Sequence, residues 1–454
     1  MNTYTVINPA TANPVQNVAM ADLAATDHAI AQADKAFVTW RKISPGDRAK
    51  LLRNFARIVD EHIEELAQLE VLNSGHTIGN ARWEAGNVRD VLNYYSATPE
   101  RLFGRQIPVA NGIDITFKEP LGVIGVIVPW NFPMPIAGWG FAPALAAGNT
   151  VVMKPAELTP LTAITLGKLA LEAGIPEGVF TVLPGKGSIV GERFVTHPLV
   201  KKVVFTGSTT VGKSIMRGCA EHVKRLTLEL GGKNANIIFA DSDIEKAAAS
   251  APGGVFDNSG QDCCSRSRLL VQRSVFDSFM EKFEVAVKNF RVESPELPTS
   301  EMGPLISAAH LARVQEYVSD DVHVAFTGNK PDGDGFWMAP TVLMASSTQD
   351  RAYREEIFGP VVSVMTFEDE DDAIRLANDS DYGLSGSIWS RDIGRAIRVS
   401  RAVEAGNLSV NSNSSVRYWT PFGGFKQSGL GRELGPDAPD AFTETKNVFF
   451  DTQI

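Results

Sequence analysis

Short apolar runs rich in β-branched residues alternate with helical segments from about residue 120 to residue 240, and this alternation constrains the fold more than any other feature. The runs are Gly122–Val128, Thr150–Met153, Val179–Leu183, Val203–Thr206 and Asn236–Phe239. Such runs are typical of strands that are buried on both faces, and the helices between them fit crossover connections. The pattern therefore predicts a doubly wound parallel sheet.

A second series of the same kind follows residue 268. Its strands are expected at Leu269–Val271 and Val361–Met365, and its helices at Val275–Val287 and Asp371–Ala377. A chain of 454 residues is longer than one hydrophobic core usually supports, so a second α/β domain is expected on length as well.

The segments before the first sheet carry helix and hairpin signals. Ala21–Trp40 is rich in alanine, and Ser44-Pro-Gly-Asp is typical of a helix start. Residues 105–117 alternate apolar and polar side chains around Asn111-Gly112, which is the strongest short-range signal of a β-hairpin. Such a hairpin could extend from the body and pair with another subunit.

Composition narrows the classes of partner and compartment. The formal charge is −10, without a basic cluster interleaved with aromatic residues, so nucleic acid and anionic membranes are not expected partners. Three cysteines cannot build a disulfide framework, and no Cys/His spacing of zinc-site type occurs. With no secretory signal or membrane-spanning run in the sequence, we expect a cytoplasmic, soluble protein.

Cys263 is the candidate nucleophile. It lies in the polar segment Asn258-Ser-Gly-Gln-Asp-Cys-Cys-Ser-Arg266, and Glu229 lies upstream in Leu-Glu-Leu-Gly-Gly. Only a thiolate is a competent nucleophile, and a carboxylate can serve as its helper. An inert, buried thiol is an equally good explanation of the loop alone.

Two glycine-containing turns follow strands of the first series, at Gly185–Gly191 and at Thr206–Lys213. Neither has the spacing of a Rossmann turn or of a phosphate-cradling loop, and any strand-to-helix turn favours glycine. Their recurrence in one doubly wound unit nevertheless favours a nucleotide at the carboxyl edge of the sheet, with Ser208 and the next helix N-terminus near a phosphate.

Lys154-Pro-Ala-Glu157 follows a strand and is expected at the same edge. Both charged side chains can hydrogen-bond ribose hydroxyls, although a solvated helix cap would explain them equally well. A carboxylate accepts a ribose 2′-hydroxyl but repels a 2′-phosphate, so Glu157 favours NAD over NADP.

Taken in order along the chain, seven motifs resemble those of the aldehyde dehydrogenase superfamily. They are Pro129-Trp-Asn-Phe-Pro133, Lys154-Pro-Ala-Glu157, Phe205-Thr-Gly-Ser-Thr-Thr-Val-Gly212, Leu228-Glu-Leu-Gly-Gly-Lys-Asn234, Gly260-Gln-Asp-Cys263, Glu355-Glu-Ile-Phe-Gly-Pro360 and Pro421-Phe-Gly-Gly-Phe-Lys-Gln-Ser-Gly429. The Gly-Gln-Asp-Cys pattern also resembles γ-aminobutyraldehyde dehydrogenases.

The resemblance implies an α/β protein with two doubly wound, Rossmann-like domains and a small β oligomerisation arm. It implies an NAD-binding domain over residues 1–101 and 121–230, a catalytic domain over 231–431, and an arm over 102–120 and 432–454. The arm has two elements, the Asn111-Gly112 hairpin and a strand at Asn447–Ile454, and both resemble the family's oligomerisation elements. A homodimer or homotetramer is therefore expected.

The resemblance also implies a mechanism. Cys263 attacks the aldehyde carbon, the side-chain amide of Asn131 and the backbone N–H of Cys263 hold the oxyanion, and Glu229 activates the water that hydrolyses the thioester. No metal is needed. The implied cofactor-binding residues are Trp130, Lys154, Glu157, Gly207, Ser208, Gly231, Glu356 and Phe358.

Two carboxylates, Asp257 and Asp262, stand where relatives often carry apolar residues, which suggests a cationic substrate such as an aminoaldehyde. Arg266 and Arg268 are close in sequence and could neutralise them instead, which would leave an acidic semialdehyde possible. Aromatic residues are expected to line the substrate pocket. They are Phe132, Trp139, Phe422, Tyr418 and Trp419.

Two other functions stay open at this stage. Coenzyme A could resolve the thioester in an acylating semialdehyde dehydrogenase, although Glu229 argues against this because that chemistry needs no hydrolytic base. The chain could also be a non-catalytic binding or structural relative, which the presence of Asn131, Glu229 and Cys263 disfavours. Cys264 is either an inert neighbour or a partner that traps oxidised Cys263 as a disulfide.

Overall fold

The computed structural model describes residues 2–319, 322–414 and 416–453. Its strands are β1 (Thr3–Ile7), β2 (Pro14–Ala19), β3 (Gln106–Ile107), β4 (Gly112–Pro120), β5 (Val123–Ile127), β6 (Thr150–Lys154), β7 (Phe180–Val182), β8 (Val200–Thr206), β9 (Arg225–Glu229), β10 (Ala235–Ile238), β11 (Arg268–Gln272), β12 (Val324–Thr327), β13 (Thr341–Met344), β14 (Val361–Phe367), β15 (Tyr382–Gly383), β16 (Ser385–Trp389), β17 (Asn407–Val410), β18 (Phe425–Lys426), β19 (Gly429–Leu430) and β20 (Thr443–Asp451).

The helices surround two of the sheets these strands form. They are α1 (Leu23–Trp40), α2 (Pro45–Glu61), α3 (Ile63–Ser74), α4 (Ile78–Ser96), α5 (Pro133–Ala146), α6 (Leu161–Glu172), α7 (Glu192–Thr196), α8 (Thr209–Ala220), α9 (Ile244–Phe256), α10 (Phe276–Lys288), α11 (Ala308–Gln315), α12 (Arg351–Arg354), α13 (Glu370–Asn378) and α14 (Ile393–Ala402). No helix in residues 2–319, 322–414 or 416–453 combines the length and apolar character that crossing a membrane requires.

The first predicted sheet is present and has six strands, in the order β19-β9-β8-β5-β6-β7. Strands β5 to β9 are parallel, and β19 is added antiparallel to β9 at one edge. Every residue of β5 and β6 is buried, as the unbroken apolar runs indicated. Sequence reasoning missed β9, because its charged first and last residues interrupt the apolar run.

The second sheet has seven strands, in the order β12-β13-β14-β11-β10-β16-β17. It is parallel except for β12, which pairs antiparallel with β13. The prediction was wrong about the run at Asn236–Phe239, which was assigned to the first series. It forms β10, at the interior of the second sheet between β11 and β16. A buried strand has the same local pattern in either sheet, so its partners decide where it belongs.

The third sheet contains the predicted hairpin, because β3 and β4 pair around a turn in which Asn111 has φ of 63°. The C-terminal strand β20 pairs antiparallel along the whole of β4. Phe117 on β4 and Phe449 on β20 are 44% and 49% exposed in the single chain. The expected C-terminal strand is therefore present over 443–451, and its last residue, 454, lies outside the described residues.

The helical segment before the hairpin also follows the prediction. Helix α1 begins after the N-cap Asp22, and α2 begins with Pro45 after the N-cap Ser44, whose side chain accepts the Asp47 N–H. Phe55 of α2 stacks on Phe141 of α5 with ring centroids 5.8 Å apart, which anchors these helices to the six-stranded sheet.

Candidate active site

The segment that carries Cys263 is an irregular loop between α9 and β11. Asn258, Ser259 and Gly260 have φ of 49°, 57° and 69°, a left-handed run that is costly for the two residues with side chains. A Cβ on Gly260 would lie 2.1 Å from the Gly359 carbonyl oxygen, so glycine is required there.

Side-chain hydrogen bonds hold this loop in place. Ser259 Oγ donates to the Gly303 carbonyl at 2.5 Å, and the Gln261 side-chain oxygen accepts the Ile306 N–H at 2.8 Å. Asn234 Nδ2 donates to the carbonyl of Cys263 itself at 2.7 Å. Asn234 was quoted only as the end of a motif, and its positioning role was missed. The half-buried Cys263 is therefore carried on a rigid support.

Asn131 is tied directly to the cysteine loop. It lies in the turn between β5 and α5, where Pro133 begins the helix. Its Nδ2 donates to the Gln261 carbonyl at 3.0 Å, and its own carbonyl accepts from Asn258 Nδ2 at 2.7 Å. The structure thus brings together residues that are 132 positions apart, with the amide of Asn131 beside the backbone that leads to Cys263.

Two cavities meet at Cys263. One has a volume of about 360 Å³ and the other about 270 Å³. Cys263, Glu229 and Thr206 line both of them. A thiol and a carboxyl group therefore lie where the two cavities meet.

The smaller cavity collects six of the eight predicted cofactor residues. They are Trp130, Gly207, Ser208, Gly231, Glu356 and Phe358. Ser208 is also the N-cap of α8, where its hydroxyl accepts the Val211 N–H at 3.4 Å. The Trp130 and Phe358 rings meet edge to face, 5.3 Å apart. His310 and Arg313, which sequence reasoning missed, also line this cavity; no short motif marked them.

Glu356 is held at the base of this cavity by a backbone donor. Its Oε1 accepts the Gly232 N–H at 2.8 Å. A Cβ on Gly231 would lie 2.4 Å from Glu356 Oε2, so the close approach of backbone and carboxylate requires glycine. Burial raises the pKa of Glu356 to about 7, although the Gly232 N–H and Lys233 act in the opposite direction.

Lys154 and Glu157 lie at the predicted edge of the sheet but outside this cavity. Lys154 ends β6, and its Nζ donates to the carbonyls of Pro155 at 2.7 Å and Gly185 at 3.3 Å. Glu157 Oε1 accepts the Gly187 N–H at 3.1 Å. Burial lowers the pKa of Lys154 to about 8. Both side chains therefore contact the loop that follows β7, which is the first glycine-containing turn of the sequence.

The larger cavity is lined by five of the seven residues predicted for the substrate pocket. They are Phe132, Trp139, Asp257, Asp262 and Phe422. The Trp139 and Phe422 rings are 5.2 Å apart, and Trp139 Nε1 donates to Asn87 Oδ1 at 3.0 Å. The expectation for Tyr418 and Trp419 was wrong. Tyr418 packs on Tyr94, Trp419 is 50% exposed, and neither lines the cavity.

Arg268 does not neutralise the two aspartates, contrary to the alternative drawn from the sequence. Its guanidinium donates to the carbonyls of Lys233, Leu376 and Ala377 and lies over the Tyr353 ring. Arg268 is the first residue of β11, and its hydrogen bonds to these three carbonyls hold its guanidinium outside the cavity lining.

Arg266 does line the cavity, but its guanidinium is shared with other groups. Its Nε donates to Ser387 Oγ at 3.1 Å, and its Nη1 donates to the Cys264 carbonyl. Burial raises the pKa of Asp262, and the Cys264 N–H, Arg266 and the Cys263 thiol oppose this effect. The positive charge of Arg266 therefore offsets part of the effect of burial on the pKa of Asp262.

Asp257 has neutral hydrogen-bond partners. Its Oδ1 accepts from Asn80 Nδ2 at 2.6 Å and from the Asn258 N–H at 3.0 Å. Burial raises the pKa of Asp257, and the charge of Asp262 adds to this rise. A cation that entered the cavity would therefore stabilise the ionised form of both carboxyl groups.

Glu229 has an unusual environment for a carboxyl group. Both of its oxygens are buried, and neither has a hydrogen-bond partner among the described residues. Burial raises its pKa well above the ordinary value, and the carboxyl of Glu433 adds to this rise. Glu433 lines the larger cavity and was missed by sequence reasoning, because it lies outside every recognised motif.

The environment of Cys263 favours the protonated thiol over the thiolate. Its hydrogen-bond contact with the Cys264 side chain raises its pKa well above the ordinary value, and burial adds to the effect. The charges of Asp262 and Glu356 act in the same direction. A base is therefore needed to form the thiolate, and Glu229 is a carboxylate that lines the same two cavities.

Comparison with known proteins gives one consistent result. The profile of the Aldehyde dehydrogenase family matches residues 1–448. An aldehyde dehydrogenase of Emericella nidulans is 39% identical over 99% of this chain and 92% of its own length. The betaine aldehyde dehydrogenase of Bacillus subtilis is 38% identical over 99% of this chain and 94% of its own length. The crystal structure of Staphylococcus aureus betaine aldehyde dehydrogenase in complex with NAD+ has a TM-score of 0.96 and 38% identity, covering 100% of this chain and 92% of that one.

Proposed function

Because the chain belongs to the aldehyde dehydrogenase family, we propose that it oxidises a small, positively charged aldehyde to its carboxylate, with NAD as the cofactor. The observation that carries the proposal is the position of Cys263 and Glu229, which line both cavities. A nucleophile and a base at such a junction can act on an aldehyde in one cavity while a cofactor occupies the other.

The residues of the smaller cavity fit NAD. Ser208 and the N-terminus of α8, a helix of 12 residues, offer backbone N–H groups to a pyrophosphate. Glu356 can accept ribose hydroxyls, and the missing Cβ of Gly231 leaves room for its carboxylate. Lys154 and Glu157 can bind the adenosine ribose from the end of β6, and Glu157 disfavours a 2′-phosphate. Relatives solved with NAD+ support this assignment.

In the proposed reaction, Glu229 takes the proton of the Cys263 thiol and the thiolate attacks the aldehyde carbon. The C–S bond forms, and the carbonyl oxygen becomes an oxyanion that the Asn131 amide and the Cys263 N–H stabilise. NAD, when bound, supplies the hydride acceptor that turns the resulting thiohemiacetal into a thioester. After Glu229 has released the thiol proton to solvent, it takes a proton from water, which attacks the thioester carbon. The C–S bond then breaks, so that the acid is released and the Cys263 thiolate is the leaving group.

The environment of Glu229 supports hydrolysis rather than transfer to coenzyme A. Its two unpartnered oxygens leave it free to bind and activate water, and its raised pKa makes it a stronger base than an exposed carboxylate. A thiol acceptor such as coenzyme A would not need that base. We therefore assign the free acid as the product.

The larger cavity supports a cationic substrate. Besides Glu229 and Glu433, whose buried carboxyl groups have raised pKa values, its described lining includes the carboxyl groups of Asp257 and Asp262 and one guanidinium, Arg266. Aromatic rings complete the wall. They are Trp83, Phe132, Trp139 and Phe422. Carboxylates and aromatic faces together favour an ammonium group. The named activity of a relative, betaine aldehyde dehydrogenase, agrees with this chemistry.

The substrate class can be tested with aldehydes of equal length that end in a primary ammonium, a trimethylammonium, a methyl or a carboxylate group. Initial NADH formation is measured at pH 7.5, with Cys263→Ala as the blank. The proposal predicts the highest kcat/KM for the cationic aldehydes, and a fall of about tenfold in Asp257→Asn that appears mainly in KM.

The matched control is Asp277→Asn, which removes an exposed carboxylate from the first turn of α10. It should leave the substrate ranking unchanged. A preference for the methyl-ended or carboxylate-ended aldehyde in the wild type would reject the cationic substrate while keeping the dehydrogenase activity. Absence of NADH formation with every aldehyde would reject the proposed function itself.

We further propose that the sheet of β3, β4 and β20 mediates a homodimer or homotetramer. Its exposed aromatic side chains, Phe117, Phe449 and Phe450, support an interface with another copy of the chain. The sheet also ends in β3, a two-residue strand that leaves an edge available for pairing.

A further inference from the structure

Three buried side chains outside the reaction path, Glu70, His76 and Glu84, come together beside the active site. Glu70 lies on α3, His76 in the turn after it, and Glu84 on α4. Their exposed fractions are 0%, 3% and 0%. One potential ligand atom from each lies within 4.8 Å of the other two. Buried charged groups are costly unless they are paired or coordinate a metal, so this cluster requires an explanation.

The contacts within the cluster leave one carboxyl oxygen without a partner. Glu70 Oε2 accepts hydrogen bonds from two neutral donors, Thr162 Oγ1 at 2.6 Å and Asn73 Nδ2 at 3.2 Å. His76 Nδ1 contacts Glu84 Oε1. Glu84 Oε2 is buried and has no hydrogen-bond partner among the described residues. Two carboxylates thus face one imidazole.

We propose that Glu70, His76 and Glu84 bind a divalent first-row cation of the Zn²⁺ or Mn²⁺ type. Two carboxylates neutralise a charge of +2, and imidazole with carboxylate is a ligand set that these cations accept. Ligands that share a cation at about 2.1 Å lie at most about 4.2 Å apart, so the side chains need to close by less than an ångström. The unpartnered Glu84 Oε2 supplies a further coordinating atom.

This cation has a structural role and does not take part in the chemistry. The His76 ring lies 5.5 Å from the Phe132 ring, and His76 also forms a hydrogen bond with the backbone of Asn131. The metal would therefore fix the turn that carries the oxyanion-binding amide and one wall of the larger cavity. Its loss would loosen that turn without removing any group that contacts the substrate.

The test measures metal binding directly, in a background that removes the other cluster of possible ligands. Asp262, Cys263 and Cys264 also place potential ligand atoms within 4.8 Å of one another and could bind soft metals. The full-length Cys263→Ala/Cys264→Ala protein is therefore stripped with EDTA and titrated with Zn²⁺ or Mn²⁺ by calorimetry. We expect one equivalent per chain, and a melting temperature that rises with metal and falls with EDTA.

In the same background, Glu84→Gln should weaken binding at least about tenfold, because the isosteric amide keeps the volume but loses the charge. Circular dichroism shows whether this variant folds. X-ray absorption at the zinc edge gives a second readout: only oxygen and nitrogen ligands are expected, without the Zn–S distance of about 2.3 Å. Absence of binding in this background, or binding that Glu84→Gln leaves unchanged, would overturn the proposal.

Discussion

Substituting Glu433 by glutamine should change how the stability of this enzyme depends on pH. Glu433 is 4% exposed, and neither carboxyl oxygen has a hydrogen-bond partner among the described residues. Burial raises its pKa to about 8 from an ordinary value of 4.5, although Lys202 acts in the opposite direction. Between these two values the folded protein holds a proton that the unfolded chain has released.

The sign and size of the effect follow from proton linkage. Because the folded state binds more protons, the free energy of unfolding decreases as pH rises from about 4.5 to about 8. One proton contributes a slope of about 1.4 kcal/mol per pH unit, hence about 2 kcal/mol between pH 5.5 and 7. Glutamine is uncharged throughout, so Glu433→Gln should gain about 2 kcal/mol relative to the wild type over that interval.

The assay is urea unfolding followed by fluorescence and circular dichroism, at fixed protein concentration, in half-unit steps from pH 5.5 to 7. Glu444→Gln is the matched control, because Glu444 pairs with Arg225 on the surface and its side chain is 50% exposed. The free energy of unfolding of the control should change with pH in the same way as that of the wild type. If the free energy of unfolding of Glu433→Gln shows the same pH dependence as that of the wild type, Glu433 is ionised in the folded protein and the reasoning fails.

Four further predictions concern catalysis and assembly. Cys263→Ala should abolish NADH formation while leaving NAD binding by calorimetry intact; residual turnover would exclude Cys263 as the nucleophile. Asn131→Ala should lower kcat about 10²–10³-fold, with KM little changed, in steady-state kinetics; an effect on KM alone would argue against the oxyanion role. Glu157→Gln should raise kcat/KM for NADP about tenfold without improving that for NAD; an unchanged ratio would exclude Glu157 as the discriminator. Deleting residues 446–454 should reduce the assembly size in light scattering, and an unchanged mass would reject the arm assignment.

The sheets show where local sequence patterns suffice and where they fail. The apolar runs within β5, β6 and β8 were recognised because the parts of a strand that are buried on both faces are rich in apolar residues. The run that became β10 was recognised as a strand but assigned to the wrong sheet. Its partners lie far away along the chain, and no local property of the run names them.

Some active-site residues could likewise be predicted from local motifs, and others could not. Cys263, Glu229 and Asn131 were predicted as catalytic residues because each lies in a motif that resembles the family's. Glu433 lies in no recognised motif, and it was missed although it lines the larger cavity beside Glu229. Its importance comes from burial and from its effect on the pKa of Glu229, and both depend on packing between distant segments.

The sequence alone determined the α/β class and the family resemblance and predicted the nucleophile, because hydrophobic periodicity and motif spacing are local properties of the chain. The tertiary structure decided which residues share a cavity, how Arg268 is engaged away from the aspartates, and how Glu70, His76 and Glu84 are brought together. These outcomes depend on distance and burial, because electrostatic and hydrogen-bond energies are set by the neighbours that a side chain meets only after folding.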